Sequence, residues 1–224
     1  STLFPYTTLF RSFDLFDDSN LHLRLAQRVA GPTPRPALDE AFAPAPIVIY
    51  VTIDPIEKIQ AGLSMALSIA SGAFVDGGVI PGRHTCEGED IAPPLTWSGV
   101  PAAAQSLVLI VDDPDAPDPE APKMTWVHWI LYNIPADVSG LAEGVKAERL
   151  PEGTREGLND WKRTGYGGPC PPIGRHRYFH KLYALDTVLQ DMGNPTKAQL
   201  EAAMGGHVIA RAQLVGTYAK SSGG

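Results

Sequence analysis

The stretch GYGGPCPPIGRHRYFHKLYALD, from Gly165 to Asp186, joins a loop rich in glycine and proline to an aromatic segment that resembles a β-strand. Every second side chain of a strand points to the same side, so His176 and Tyr178 face one way and His180 lies deeper on that side. We therefore predict that His180 fills the core. The stretch indicates a β-rich domain in which a stiff loop leads to His176 and Tyr178.

Three other segments predict most of the remaining fold. SLVLIVDDPD, residues 106–115, is a short apolar run bounded by turn residues, which is typical of a buried strand. HVIARAQLVGTY, residues 207–218, predicts a last strand, and NPTKAQLEAAMGG, residues 194–206, predicts a helix capped by Asn194. The predicted fold class is mostly β, an antiparallel β-sandwich with one or two peripheral helices.

The segment TWVHWILYNIP, residues 125–135, is apolar on both faces and predicts a central strand rather than an edge strand. Strict alternation places Val127 and Trp129 on one face of this strand, and His128 and Ile130 on the other. A lone histidine in such a strand is more often a hydrogen-bonded core residue than a functional one. His128 is therefore a candidate with two open interpretations.

The loop before His176 has the composition of an anion-binding site. Gly167 and Gly168 lack side chains, so a ligand can approach their backbone N–H groups. Pro169, Pro171 and Pro172 restrict the backbone, so the loop loses little entropy when a ligand binds. Preorganised donors beside imidazoles and a phenol predict an anion cradle. The alternative is a rigid turn without a ligand.

Asp113 ends the apolar run at residues 106–115, and the proline-rich DPDAP segment forces the chain to leave the sheet there. Its carboxylate is therefore expected at the rim of a core strand, where it can face a cleft. The alternative is a turn-initiating aspartate that accepts a hydrogen bond from its own backbone.

Composition limits the classes of partner. The net charge of −7 argues against a nucleic acid as the main partner. The two cysteines, Cys86 and Cys170, are too few for a disulfide framework or a four-cysteine zinc site. No apolar run approaches the ~20 residues that a membrane-spanning helix needs. We expect a cytoplasmic protein without a metal or a cofactor, with a periplasmic location as the alternative.

The first 64 residues differ in character from the rest of the chain. TLFPYTTLFRS, residues 2–12, resembles the translation of a sequencing adaptor, so we predict that residues 1–12 are an adaptor-derived artefact. Residues 13–64 contain a Pro/Ala-rich run and are predicted to be a non-native or disordered extension, which leaves residues 65–224 as the domain. The alternative is a genuine amphipathic extension, LHLRLAQRVA, that folds onto the domain.

Five motifs in order resemble the phosphatidylethanolamine-binding protein family, and more closely its bacterial and archaeal Raf-kinase-inhibitor-like branch. They are HTCEGEDIAPPLTWSGVP, VDDPDAP, WVHWILYNIP, GLNDW and GYGGPCPPIGRHRY. The resemblance covers nearly all of residues 65–218. It implies a large antiparallel sheet packed on a smaller one, with a pocket for phosphate-like anions at one end.

Carried onto this sequence, the resemblance implies one set of ligand-binding residues. They are Asp113, Asp115, His128, Gly168, Cys170, Pro171, Pro172, His176 and Tyr178. Cys170 stands where the animal proteins have a glycine, and the animal-type C-terminal helix does not follow VGTY. The resemblance therefore does not extend to a Raf-type partner, whereas an unidentified protein partner or a homodimer is compatible with it.

Two functions follow as hypotheses. The first is a non-catalytic module that binds a phosphate-bearing or other small anionic ligand and modulates a partner protein. The second is a hydrolase with Cys170 as nucleophile, His128 or His176 as base and Asp113 as orienting group. The position of Cys170 between prolines favours the first, because a thiol pKa is usually lowered at a helix N-terminus.

Overall fold

A five-stranded antiparallel sheet organises the described part of the computed structural model, which comprises residues 66–221 and two short N-terminal strands, β1 (Ser12–Leu15) and β2 (Leu23–Ala26). A three-stranded sheet contains β3 (Ser68–Ser71), β4 (Leu95–Ser98) and β7 (Gly140–Leu141). Across the large sheet the strands run in the order β10 (Val208–Tyr218), β9 (His176–Leu185), β5 (Ser106–Asp113), β6 (Trp126–Pro135) and β8 (Arg155–Glu156). The predicted fold class, a large sheet with a smaller one and a peripheral helix, is confirmed.

The chain divides into two units, Ser1–Leu63 and Ser64–Gly224. In the first unit, β1 and β2 pair antiparallel. Apart from these two strands, the segments 1–12 and 13–64 lie outside the described residues, so their predicted origin stays a prediction.

Strand β5 is buried along its whole length because both faces of the large sheet are covered. Leu107 and Leu109 pack in the core that contains residues of both sheets, whereas Val108 and Ile110 pack under the helix. Full burial of such a side chain contributes about 1.5–3 kcal/mol, so the continuous apolar run predicted from the sequence is a main source of stability.

Strand β6 departs from strict alternation at His128. Val111 pairs with Trp129 and the next residue, Asp112, pairs with Val127, so His128 is an extra residue without a partner on β5. Such a bulge shifts the phase of the strand, and Val127 packs on the helix side while Trp129 packs between the sheets. The prediction that Val127 and Trp129 share a face is therefore wrong.

The helix α1 (Lys197–Met204) covers one face of the large sheet through Leu200 and Met204. It begins after Thr196, whose side chain accepts from the Gln199 backbone N–H while the Gln199 side chain accepts from Thr196 N–H. This capping box fixes the start two residues after Asn194, the cap predicted from the sequence. No helix in the described ranges is long and apolar enough to cross a membrane.

Candidate functional site

Three predicted site residues converge at one end of the large sheet because of its antiparallel order. The C-terminal end of β5 meets the N-terminal ends of both neighbours, β6 and β9. Asp113 is the last residue of β5, His128 is the third residue of β6, and His176 is the first residue of β9. The topology therefore brings together side chains that are far apart in the sequence.

A cavity of about 370 Å³ opens at this end of the sheet. Its lining residues with polar side chains are Asp113, His128 and His176, and Cys170 also lines it. The remaining lining residues are apolar or aromatic: Ala116, Pro117, Met124, Trp126, Trp161, Pro171 and Pro172. The size and the mixed lining are typical of small-molecule sites.

Asp113 and His176 form a buried pair. Asp113 Oδ2 lies 2.7 Å from His176 Nδ1, and Asp113 Oδ1 accepts from the Asp115 backbone N–H at 2.8 Å. His176 Nε2 lies 3.0 Å from the carbonyl oxygen of Ile173, which can only accept, so Nε2 carries a proton. Both ring nitrogens of His176 are thus engaged by the protein, and this ring has no free donor for a ligand.

His128 has one engaged and one unengaged nitrogen. Its Nδ1 lies 2.7 Å from the carbonyl oxygen of Gly167, whereas Nε2 has no hydrogen-bond partner among the described residues. The rings of Trp161 and Tyr178 meet the imidazole edge-on, each with a centroid distance of 5.2 Å. Burial lowers the pKa of His128 below its ordinary value, against smaller opposing effects of Gly167 and Asp113.

The glycine-rich loop does not offer the backbone donors expected from the sequence. Gly167 N–H donates to the His128 carbonyl at 3.1 Å, and Gly168 N–H donates to Asp90 Oδ1 at 2.6 Å. A Cβ at Gly168 would lie 2.4 Å from the His84 carbonyl oxygen, and one at Gly167 would lie 2.6 Å from the Trp161 ring. These glycines therefore serve close packing rather than ligand approach, and Gly168 does not line the cavity.

Cys170 is bonded to Cys86, with an S–S distance of 2.14 Å and a Cα–Cα distance of 5.4 Å. This bond was not predicted from the sequence, because the two cysteines lie on loops that are distant in the sequence and meet only in the fold. The Cys86 backbone N–H also donates to the Pro169 carbonyl at 3.1 Å, which reinforces the same joint. A bonded sulfur is not a thiolate, so a hydrolase that uses Cys170 as nucleophile is contradicted in this form of the protein.

The backbone N–H of Cys170 is the one amide donor in the segment 169–172, since its three neighbours are prolines. It has no hydrogen-bond partner among the described residues. Because Cys170 lines the cavity, this N–H is a candidate backbone donor for a ligand.

Asp115 and Tyr178 lie beside the cavity without lining it. Asp115 accepts hydrogen bonds from the backbone and the guanidinium of Arg177, and this partner lowers the pKa of Asp115. Tyr178 is buried between the two sheets, its hydroxyl has no partner in the described part of the chain, and burial raises its pKa. Both residues support the site rather than form its wall.

The aromatic wall of the cavity was not predicted from the sequence. Trp126 and Trp161 meet edge-on with a centroid distance of 5.4 Å, and Met124 and Pro117 lie nearby in the lining. Trp161 belongs to the motif GLNDW, which carries the family resemblance but was not predicted to line the site. The clustering of tryptophans in TWVHW and GLNDW was the available signal, but core packing explains such residues equally well.

Comparison with known families gives a match over most of the domain. The family model described as phosphatidylethanolamine-binding protein matches residues 70–219. A UPF0098 protein of Methanothermobacter thermautotrophicus is 52% identical over 153 residues, which cover 68% of this chain and 98% of that protein.

Two crystal structures are similar to this fold. A phosphatidylethanolamine-binding protein homologue from Chlamydia trachomatis superposes with a TM-score of 0.64 at 47% identity, covering 70% of this chain and 99% of that chain. Escherichia coli YbcL, described as a new member of the mammalian PEBP family, superposes with a TM-score of 0.63 at 32% identity, covering 70% of this chain and all of that chain.

Proposed function

Because the chain belongs to the phosphatidylethanolamine-binding protein family, we propose that it is a non-catalytic module that binds a phosphate-bearing or other small oxyanion in the cavity beside His128. Membership of this family supports a small-ligand binding module, and the proposal adds the chemical class of the ligand. No step of bond breaking is assigned to the site.

The observation that carries the proposal is the state of His128. Its side chain is only 3% exposed, it lines the cavity, and its Nε2 has no partner among the described residues. A buried polar group without a partner is costly unless something binds it. The backbone N–H of Cys170, a lining residue, has no partner among the described residues and can supply a second hydrogen bond.

The proposal extends to a protein partner and to the cellular compartment. The exposed side chains of Met124 and Trp161 at the cavity, 52% and 40% exposed, offer an apolar contact for a protein partner or a second copy of the chain. Because Met124 and Trp161 line the cavity, a bound ligand would alter the surface that the partner contacts. The Cys86–Cys170 disulfide favours an oxidising compartment such as the periplasm over the cytoplasm expected from the sequence.

Calorimetric titration with inorganic phosphate and sulfate tests the proposal. We expect His128→Ala to weaken binding of phosphate at about pH 6 roughly 10- to 100-fold, the usual range for a hydrogen bond to a charged group. Binding of sulfate should weaken as pH rises through the lowered His128 pKa, because only the protonated ring donates to an anion without a proton.

The matched control is His180→Phe, which removes a buried histidine of β9 that does not line the cavity. It should bind phosphate like the wild type. Equal affinities of the wild type and His128→Ala would show that the oxyanion site lies elsewhere or does not exist.

A further inference from the structure

The cavity lacks the cationic side chains that are usual in an anion site. Among the described residues that line it, none is a lysine or an arginine. Asp113 and His176 share one proton across their 2.7 Å contact while His176 Nε2 keeps another, so the pair has no net charge. The lining therefore contains no net positive charge that could balance a dianion.

The tautomer of His128 follows from its partner. The Gly167 carbonyl oxygen can only accept, so His128 Nδ1 carries the hydrogen of the neutral ring. Nε2 of the neutral ring then has a lone pair and can only accept. Because burial lowers the pKa of this ring, the accepting form is favoured down to a lower pH than for a free histidine.

Groups from several elements act on this ring. The carboxylates of Asp112, Asp113 and Asp90 raise its pKa, although burial outweighs them. The titratable groups near the ring come from three elements. Asp112 and Asp113 lie on β5, and Asp90 lies in the loop before β4. His176, Tyr178 and His180 lie on β9.

We propose that the cavity selects an oxyanion that still carries a proton, such as a phosphomonoester or phosphonate monoanion, which donates its P–OH hydrogen bond to His128 Nε2. The proposal rests on the proposed oxyanion function and adds the protonation state of the ligand. An oxyanion without a proton would turn a lone pair toward the lone pair of Nε2, and the lining has no net positive charge to offset this repulsion.

The rest of the lining fits the rest of such a ligand. The Cys170 N–H can donate to an unprotonated oxygen, and Trp126, Trp161 and Met124 form an apolar wall for an organic substituent. The volume of about 370 Å³ accommodates a small aromatic or alkyl group attached to phosphorus.

Phenylphosphonate and benzenesulfonate test the proposal with the wild-type protein. At about pH 6 both are monoanions with the same ring and a tetrahedral head, but only the phosphonate carries a proton on oxygen. We expect phenylphosphonate to bind at least about tenfold more tightly, the cost of leaving a buried acceptor unpaired. The preference should shrink below the His128 pKa, where the protonated ring donates to both ligands, and again where the phosphonate loses its second proton.

Two variants locate the origin of the preference. His128→Gln presents an amide that can donate as well as accept, so the preference should fall to about twofold or less. His180→Phe should keep the wild-type preference, because His180 does not line the cavity. If His128→Gln does not fold, the comparison of the two ligands on the wild type decides alone.

The outcomes separate this inference from the proposed function. Equal affinities at about pH 6, or tighter binding of benzenesulfonate, would overturn the selection of a protonated oxyanion and leave oxyanion binding intact. If neither ligand binds at any pH from about 4.5 to 7.5, the proposed function itself fails.

Discussion

Asp113 and His176 lock each other at the meeting point of β5 and β9. Their 2.7 Å contact is buried, with 0% of the His176 side chain and 5% of the Asp113 side chain exposed. Because the second nitrogen of the ring faces the Ile173 carbonyl, the pair fixes the loop that precedes β9 as well as the strand end. The pair is therefore a structural clamp beside the cavity, and His128 is the residue left to meet a ligand.

The clamp predicts different outcomes for two substitutions of Asp113. Asp113→Ala removes one partner of a buried pair and should lower the free energy of unfolding by about 3–5 kcal/mol. Asp113→Asn should cost only about 1–2 kcal/mol, because its amide can donate to a neutral His176 Nδ1 while Nε2 still donates to Ile173. Denaturant titration at neutral pH measures both, and losses of equal size would contradict the clamp.

Acid should destabilise the protein through His180. Burial lowers the pKa of this histidine to about 4, so the folded state keeps it neutral. Its contribution to stability is full above an unfolded pKa of about 6.5 and is lost as pH falls toward about 4, a change of about 3 kcal/mol. In His180→Phe the loss of stability between these pH values should be smaller by that amount, as measured by urea unfolding. A wild-type acid profile in this variant would show that His180 does not control it.

Reduction of the disulfide should lower the melting temperature. Cys86 and Cys170 are 84 residues apart, and closing a ring of that size stabilises by about 4–5 kcal/mol in the chain-entropy model. For a domain of this size the loss corresponds to roughly 10 °C or more. The control is the double variant Cys86→Ala/Cys170→Ala, which should melt at the same temperature with and without reductant. Two alkylatable thiols in the native protein before reduction would show that the bond does not form.

Removal of the N-terminal unit tests the predicted domain boundary. A chain that begins at Met65 should melt within a few degrees of the full chain, because residues 1–64 are predicted to contribute little to the core. Leu67 and Ile69, which are buried in the core, remain in the shortened chain. A fall of more than about 10 °C, which corresponds to several kcal/mol, would show that the extension stabilises the domain.

Four strands of the large sheet, β5, β6, β9 and β10, were predictable because they span 8 to 11 residues, whereas β8 spans only two. The apolar run that ends in Asp113 is buried on both faces, and a short continuous apolar run of this kind is typical of a buried strand. The strands of the small sheet span two to four residues, as Gly140–Leu141 illustrates, and a segment this short has no period to detect. The bulge at His128 was also invisible, since the extra residue appears only when the partner strand is aligned beside it.

The predicted site residues came partly from physical reasoning and partly from resemblance. Asp113, His128 and His176 were each singled out from the strand patterns and were grouped into one site only by the resemblance; they lie together in the cavity lining because strand ends meet there. The engagement of Gly168 N–H by Asp90 was not predictable, because Asp90 is 78 residues away in the sequence. The disulfide was not predictable for the same reason, because the spacing of two cysteines in the sequence does not show which loops lie together in the fold.

The disulfide also closes a covalent ring through the domain. Strands β4 to β8 lie inside the ring between Cys86 and Cys170, whereas β3, β9, α1 and β10 lie outside it. A protease that cuts one exposed loop inside the ring, such as the turn at Gly153, leaves both pieces attached to each other. The nicked protein would then run as one band in a non-reducing gel and as two after reduction, with His128 and His176 still held in a single molecule.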